Sequence, residues 1–370
     1  MHKTISRTTK RNLSSYTKLE PRRLLAASTL SSIELVDATV IDDQIVIRLD
    51  PMDTDFLEVV INGIANDRFE FQSLQRLQIN ADAGDDSVTI DFTHGNPIPE
   101  FGFEIFGSSG FDELSFVTSE NIEVELQSIN DDQQAMGQFT VTTATGTAID
   151  DSQIVCNDWS ELESVRTSFG DDQFYISDVS AIQNLQIADF NFNAGEGSNQ
   201  IKIEFSPNNP GNVVIADHSI DGLFAGEFLY QTEGAGVFGG TDGTTGIELI
   251  GSDLADHFQI TSLRSSDSIS IDGESGDDFF AIGASLSDTS GSLINGSLNL
   301  NGGHGGDLYR LVFTNIIGTG FEISDDGTTG DDLVQVFGTN TTESFIINDS
   351  ALEHRLLFPN SSDSLSIFEL

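Results

Sequence analysis

Short stretches of strict alternation between apolar and polar residues recur along the chain. Most are followed by a turn rich in Gly and Asp and then by a second alternating stretch. Residues 77–90 read LQINADAGDDSVTI and residues 103–116 read FEIFGSSGFDELSF. The phrase returns at 165–176 (VRTSFGDDQFYI), 190–203 (FNFNAGEGSNQIKI), 247–260 (IELIGSDLADHFQI), 269–282 (ISIDGESGDDFFAI), 298–311 (LNLNGGHGGDLYRL) and 321–336 (FEISDDGTTGDDLVQV). Residues 339–347 read as a worn copy. Alternation with a period of two predicts strands with one face in a core and the other in water. Further short β runs are predicted at 45–47, 57–61, 122–126 and 213–215.

The turn glycines fall at Gly84, Gly110, Gly170, Gly197, Gly276, Gly306 and Gly330, with gaps of 26, 60, 27, 79, 30 and 24 residues. The long gaps are close to two or three short ones. A unit of 20–30 residues is the size of one coil of a parallel β-solenoid. The expected fold is therefore all-β, a parallel β-solenoid or β-helix-like stack. Tandem β-sandwich domains, whose strands are also short and regularly spaced, are the alternative. The chain holds 27 Phe but only 4 Tyr and 1 Trp. Phe can stack in a narrow core without a polar partner, which suits a stack of thin coils.

The Gly-Asp phrase resembles the haemolysin-type (RTX) calcium-binding nonapeptide, in which glycines precede an Asp and a large apolar residue follows two positions later. Residues 302–310 satisfy every defined position. The other copies are partial, with Asp86, Asp112, Asp172, Asp256, Asp278 and Asp332 at the Asp position and Asn199 in its place once. The resemblance implies Ca²⁺ held by turn carboxylates and carbonyls, with Asp86, Asp112, Asp172, Asp278, Asp307 and Asp332 as the metal-site residues. Tandem nonapeptides are missing, so ligands would come from turns stacked across neighbouring coils or from the paired acids. The bland alternative is that Asp and Gly are ordinary turn formers.

Charge sharpens the picture. The chain has 370 residues, 60 Asp+Glu, 15 Lys+Arg and a formal net charge of −45. Such a surface repels phosphates, which excludes nucleic acid as a partner and disfavours anionic lipids and acidic polysaccharides. It attracts hard cations, Ca²⁺ above all. The charge is uneven: residues 1–30 hold seven bases and one acid, leaving −51 on the remainder. No apolar run is long enough for a transmembrane helix. Leu19-Glu20-Pro21-Arg22-Arg23-Leu24-Leu25-Ala26 resembles the LEPR-XLL segment of secreted and surface proteins of planctomycete bacteria, and the resemblance implies export to the cell surface or outside the cell. Residues 1–30 are thus expected to be a targeting segment, disordered or removed, and residues 31–370 an acidic β-repeat domain.

Enzyme motifs are scarce. The single cysteine, Cys156, excludes an intramolecular disulfide and a Cys-based zinc site. The sequence contains no H-E-x-x-H, no G-x-S-x-G and no G-x-x-x-x-G-K-[ST]. Gly276-Asp277-Asp278 with Gly303-His304-Gly305 resembles two of the four motifs of polygalacturonase-type β-helix hydrolases, but the other two are missing. The expected function is non-enzymatic: a structural or adhesive surface or matrix protein, with Ca²⁺, surface polysaccharide or other surface proteins as partners. A polysaccharide-active β-helix enzyme is the alternative.

The last residues, 364–370, read as the strand that elsewhere precedes a Gly-Asp turn. The C-terminal coil is therefore expected to be uncapped. Two readings are open: truncation from a longer protein, or cover by a partner or by self-association.

Overall fold

The computed structural model describes residues 32–107, 110, 112–118, 121–131, 134–143, 153–156, 162–167, 171–179, 190–194, 198–217, 219–224, 226–230, 245–263, 267–283, 294–312, 320–324, 330–337, 343–348, 353–358 and 365–368. The N-terminal segment expected to be a targeting signal, with Leu19–Ala26, lies outside them. The described residues form an all-β structure. Its two long sheets, of 12 and 15 strands, are parallel over most of their length. A pair of sandwiches would instead be built from antiparallel sheets.

The first block contains β1 (Ser32–Asp37), β2 (Gln44–Asp50), β3 (Asp53–Ile61), β4 (Ile64–Glu70), β5 (Leu74–Asn80), β6 (Ser87–Asp91), β7 (Phe103–Phe106) and β8 (Asp112–Val117). Strands β1, β5 and β7 pair in parallel in the 12-stranded sheet, and β2, β6 and β8 do so in the 15-stranded sheet. The chain thus alternates between sheets, and each Gly-Asp turn joins a 12-sheet strand to a 15-sheet strand. One strand from each sheet makes a tier. Register aligns Ile45 with Val88 and Leu114, and Ile47 with Ile90 and Phe116. All six are buried. The alternation read in the sequence is the wall of this core.

The middle block breaks the simple winding. Strands β9 (Ile122–Asp131), β10 (Gln134–Thr143) and β11 (Gln153–Cys156) form an antiparallel meander inside the 12-stranded sheet. The chain then crosses to β12 (Leu162–Arg166), returns to β13 (Gln173–Ile176), crosses to β14 (Phe190–Asn193) and returns to β15 (Asn199–Glu204). A second meander, β16 (Asn212–Ile215), β17 (Ser219–Asp221) and β18 (Phe228–Leu229), lies in the 15-stranded sheet. Three consecutive strands in one sheet shift the phase of the winding by half a turn. Between the meanders the Gly-Asp phrase therefore runs from the 15-stranded to the 12-stranded sheet, the reverse of its direction elsewhere. The 60-residue gap between Gly110 and Gly170 holds the first meander, and the 79-residue gap holds the second. These gaps are not simply runs of undetected units.

The last block resumes the original phase with β19 (Thr245–Ile250), β20 (His257–Ile260), β21 (Asp267–Asp272), β22 (Phe279–Ile282), β23 (Ser297–Asn301), β24 (Leu308–Val312), β25 (Gly320–Ser324) and β26 (Leu333–Phe337). Its parallel register continues through Phe258, Phe280, Tyr309 and Val334. These are the apolar residues two positions after each turn Asp, and all four are buried. Their rings stack: Phe258 on Phe280 at 5.4 Å and Phe280 on Tyr309 at 4.8 Å. In the middle block Phe174 stacks on Phe192 at 4.6 Å and on Phe228 at 5.7 Å. Buried Tyr230 donates its hydroxyl to the carbonyl of Ala216, the polar partner that a buried Tyr needs.

Two expectations at the C-terminal end are corrected. The stretch read as a worn copy becomes β27 (Glu343–Asn348), which pairs with β28 (Glu353–Phe358) in a separate two-stranded sheet. The final strand, β29 (Leu365–Phe368), does not begin a new tier. It pairs antiparallel with β26 and occupies that edge of the 15-stranded sheet. At the other end the same sheet continues antiparallel through β3 and β4. The 12-stranded sheet ends on β1 and β25 without such additions among the described residues. Antiparallel additions satisfy amides and carbonyls that an edge strand would otherwise offer to another chain.

Candidate functional site: a stacked carboxylate ladder

The six aspartates singled out in the sequence occupy one structural position, the end of the Gly-Asp turn where the next strand starts. Asp86, Asp112, Asp172, Asp278 and Asp307 are buried, and Asp332 is half-buried. Each uses Oδ1 to accept the backbone N–H of a neighbouring tier. The donors are Asp43 to Asp86 (2.8 Å), Asp86 to Asp112 (3.1 Å), Ile122 to Asp172 (3.0 Å), Asp256 to Asp278 (2.7 Å), Asp278 to Asp307 (2.8 Å) and Asp307 to Asp332 (2.9 Å). Asn199 accepts from Asp172 in the same way at 2.9 Å, and Asp256 accepts from Gly211. The result is a ladder in which each carboxylate holds the next turn against the one before it.

The paired acids have complementary roles. At Asp42, Asp171 and Asp277 the residue just before the ladder position is exposed and braces in the opposite sense. Asp42 accepts from the amide of Asp85, Asp171 from Ser198, and Asp277 from Gly306, at 2.8–3.0 Å. Asn121 does the same for Asp171 at 3.0 Å. A Gly-Asp-Asp turn is thus cross-braced, with its buried Asp bonded towards the previous tier and its exposed Asp towards the next.

Stacking also explains the glycines. Gly84, Gly110, Gly276, Gly305 and Gly330 stand two residues before a ladder Asp, all with positive φ. A Cβ on Gly84 would lie 2.6 Å from the amide nitrogen of Asp42, and one on Gly276 would lie 2.5 Å from the carbonyl carbon of Leu254. On Gly110, Gly305 or Gly330 it would run into the carbonyl oxygen of the glycine one tier back. In the 302–310 copy the stacked glycine is thus Gly305, not Gly306. The rule also explains two irregular copies. Ile41 takes the glycine position in the first turn, and Leu254 takes it where the turn beneath, Pro207–Gly211, carries no ladder Asp. A second small position lies five residues before the Asp. A Cβ on Gly107, Gly273 or Gly302 would meet Oδ2 of Asp112, Asp278 or Asp307.

The ladder has a cap at its start. Among the described residues no tier precedes Asp43, and Asn62 supplies the contacts that one would make. Its Nδ2 donates to Oδ1 of Asp43, and its Oδ1 accepts the amide of Gln44 at 2.9 Å. Asn62 and Gly63 have φ of 51° and 76° in the two-residue turn between β3 and β4, the conformation in which Asn-Gly is favoured. The sequence reading passed over Asp43 and Asn62. The signals available were the Asp42-Asp43 pair after an alternating strand and the Asn-Gly dipeptide.

Burial raises the carboxyls of Asp86, Asp172 and Asp256 above the ordinary aspartate value, and pushes Asp278 up to about 7. Asp43 goes the other way. Burial alone would raise it, but the hydroxyl and amide of Thr39 and the side chain of Asn62 donate to it and hold it low. For the metal reading, the geometry gives separate files of carboxylates, the Asp172 file at the opposite edge of the sheets from the other two, and each carboxylate has an oxygen committed to an amide. Among the described residues no group of three or more His, Cys, Asp or Glu is placed to hold a metal ion.

A second feature lies on the outer face of the 12-stranded sheet. A trough of about 550 Å³ crosses β19, β21, β23 and β25. Gln200, Glu248, Ser270, Ser297, Asn299 and Glu322 are among its walls, and no Lys or Arg lines it. No helix among the described residues is long and apolar enough to cross a membrane. Compared with protein-family models, curated proteins and solved structures, the chain matches none of them.

Proposed function

We propose that the chain is an exported, non-enzymatic repeat protein of the cell surface or extracellular matrix, folded as a parallel β-solenoid and acting as a structural or adhesive rod. The observation that carries this reading is the ladder. The carboxylates that a hydrolase would present to substrate are here turned inward and bonded to backbone amides, so their chemistry is used in holding tiers together. Asp278 and His304, the residues that suggested a polygalacturonase-like pair, belong to neighbouring turns of that ladder. His304 enters it through its backbone, accepting from the amide of Gly276 at 2.7 Å. Twelve tiers at about 4.8 Å give a rod about 55 Å long.

Export rests on the resemblance of residues 19–26. The adhesive role rests on the trough, whose hydroxyl, amide and carboxylate groups suit neutral, hydroxyl-rich chains better than acidic ones. Calcium belongs to this reading through the exposed acids Asp42, Asp85, Asp171, Asp277 and Asp331, which face solvent where the ladder carboxylates are buried. Fractionation of cells making the full chain tests the main claim. Recovery at the surface or in the medium supports it, and retention in the cytoplasm overturns it.

A further inference from the structure

Parallel strands in register stack like positions one tier apart, so the outer face of the 12-stranded sheet carries its side chains in rows. One row runs Gly246, Ser268, Ser297 and Gly320, and the next runs Glu248, Ser270, Asn299 and Glu322. A row of the smallest residues beside a row of longer polar ones leaves the trough of about 550 Å³, which crosses the strands and so follows the stack. Packing does not require the glycine at 246. A Cβ there would lie 3.7 Å from Cγ of Gln200 and 3.8 Å from Oγ of Ser268, ordinary contact distances, whereas the turn glycines have no room for one. Glycine inside a strand weakens it and marks a place where something approaches the backbone closely.

The polar groups of this trough are open to a ligand. Ser268, Ser270, Ser297, Asn299 and Glu322 are exposed and make no side-chain hydrogen bond among the described residues. Elsewhere on the same face such groups pair across one tier, Gln78 donating to Glu104 and Asn301 to Asp272. The β15 end is closed. There Gln200 donates to Glu248 at 3.2 Å, and Lys202, in the row of Glu248, is held by Glu204 at 3.0 Å and lies 5.2 Å from the ring centre of Tyr175. The base at this end is engaged, so an acidic chain would meet Glu248 and Glu322 with no cation to receive it. A peptide fits poorly as well. Its same-side residues recur at about 6.8 Å against tiers at about 4.8 Å, and the paired strands under the trough offer it no edge. One pyranose unit of an extended polysaccharide spans close to one tier. Its hydroxyls both donate and accept, which suits the serines, Asn299 and the two glutamates.

We propose that the trough binds a neutral polysaccharide with an extended backbone, laid along the stack with one sugar over each tier from β19 to β25. The inference rests on the adhesive reading above and gives it a ligand class and a direction. The small residues at 246, 268 and 297 let the sugar rings come down to the sheet. Asn299 and the serines bond to the hydroxyls. Glu248 and Glu322 accept from them and turn acidic chains away.

Isothermal titration calorimetry of the purified full chain with cellotetraose, mannotetraose, xylotetraose and tetragalacturonate tests this. At least one of the three neutral tetramers is expected to bind, and tetragalacturonate to bind about tenfold more weakly or not at all. Asn299→Ala is expected to weaken the neutral ligand about three- to tenfold, the loss of one hydrogen bond. Gly246→Leu, whose Cβ meets nothing closer than 3.7 Å, fills the trough and is expected to weaken it by about tenfold or more. Binding of none of the neutral tetramers overturns the proposal. So does equal binding of tetragalacturonate, or an affinity that both variants leave unchanged. Asn299 is exposed, so Asn299→Ala decides should Gly246→Leu fail to fold. A chain found at the cell surface that binds no neutral tetramer overturns this inference alone. A chain that binds one but stays in the cytoplasm supports the inference and overturns export.

Discussion

The amide of Asp278 donates to Oδ1 of Asp307 at 2.8 Å, across twenty-nine residues of sequence and one tier of the stack. The same bond recurs in three runs, from Asp43 to Asp112, from Ile122 to Asn199 and from Gly211 to Asp332, the middle run lying at the opposite edge of the sheets. It makes each turn the template for the next.

Glycine two residues before a ladder Asp should be required only where the turn beneath carries a ladder Asp of its own. Gly276→Ala is expected to cost about 2–4 kcal/mol, from positive φ together with the clash on Leu254. Leu254→Gly removes a partly exposed side chain above a turn without a ladder Asp and is expected to cost less than about 1 kcal/mol. Urea melts of the two variants check the contrast, and equal losses would refute the stacking rule.

The cap should matter at one end only. Asn62→Gly keeps the left-handed backbone but removes both side-chain bonds at Asp43 and Gln44. A loss of about 1–3 kcal/mol is expected. Hydrogen exchange should show it first in β2 and β3, while the tiers from β20 to β26 keep their protection.

Asp43 should behave oppositely to the raised rungs as pH changes. Its folded-state value is depressed, so its stabilisation is present above the ordinary aspartate range and is lost as pH falls through the folded-state value. Thr39→Ala removes one donor from it. That variant should be less stable than wild type at pH 7 and nearly equal to it at pH 2, as read by thermal melts.

Replacing the ladder amide by an acid supplies the mirror experiment. Asn199→Asp puts a further carboxyl at a buried site beside Asp172. Its melting temperature should fall below wild type at pH 8 and approach it near pH 4, where the new group is neutral. A pH-independent loss would mean that shape rather than charge decides.

Core stacking offers a larger effect. Phe280 lies between Phe258 and Tyr309 and is fully buried. Phe280→Ala should cost about 3–5 kcal/mol. Ca²⁺, if it binds the folded form through the exposed acids, raises the melting temperature. An unchanged melt in Ca²⁺ and in chelator would remove calcium from the proposed function.

The sequence by itself determined the strands, the inward residues and the place of the turns. Alternation at 77–90 or 298–311 can be read directly, because side chains in a strand take opposite faces whatever lies beside them. The residue two positions after each Asp was also legible, since only a buried site asks for Phe280 or Val88 there. The parallel sheets, the two meanders and the antiparallel seat of β29 were decided by tertiary structure. Pairing partners are tens of residues apart, and a reversed strand such as β10 alternates just as a parallel one does. The meaning of the aspartates was decided there too. A Gly-Asp-Asp turn looks the same whether it faces a cation or an amide. Only the tier stacked against it, with the N–H of Asp278 aimed at Asp307, turns those carboxylates into the struts of the ladder.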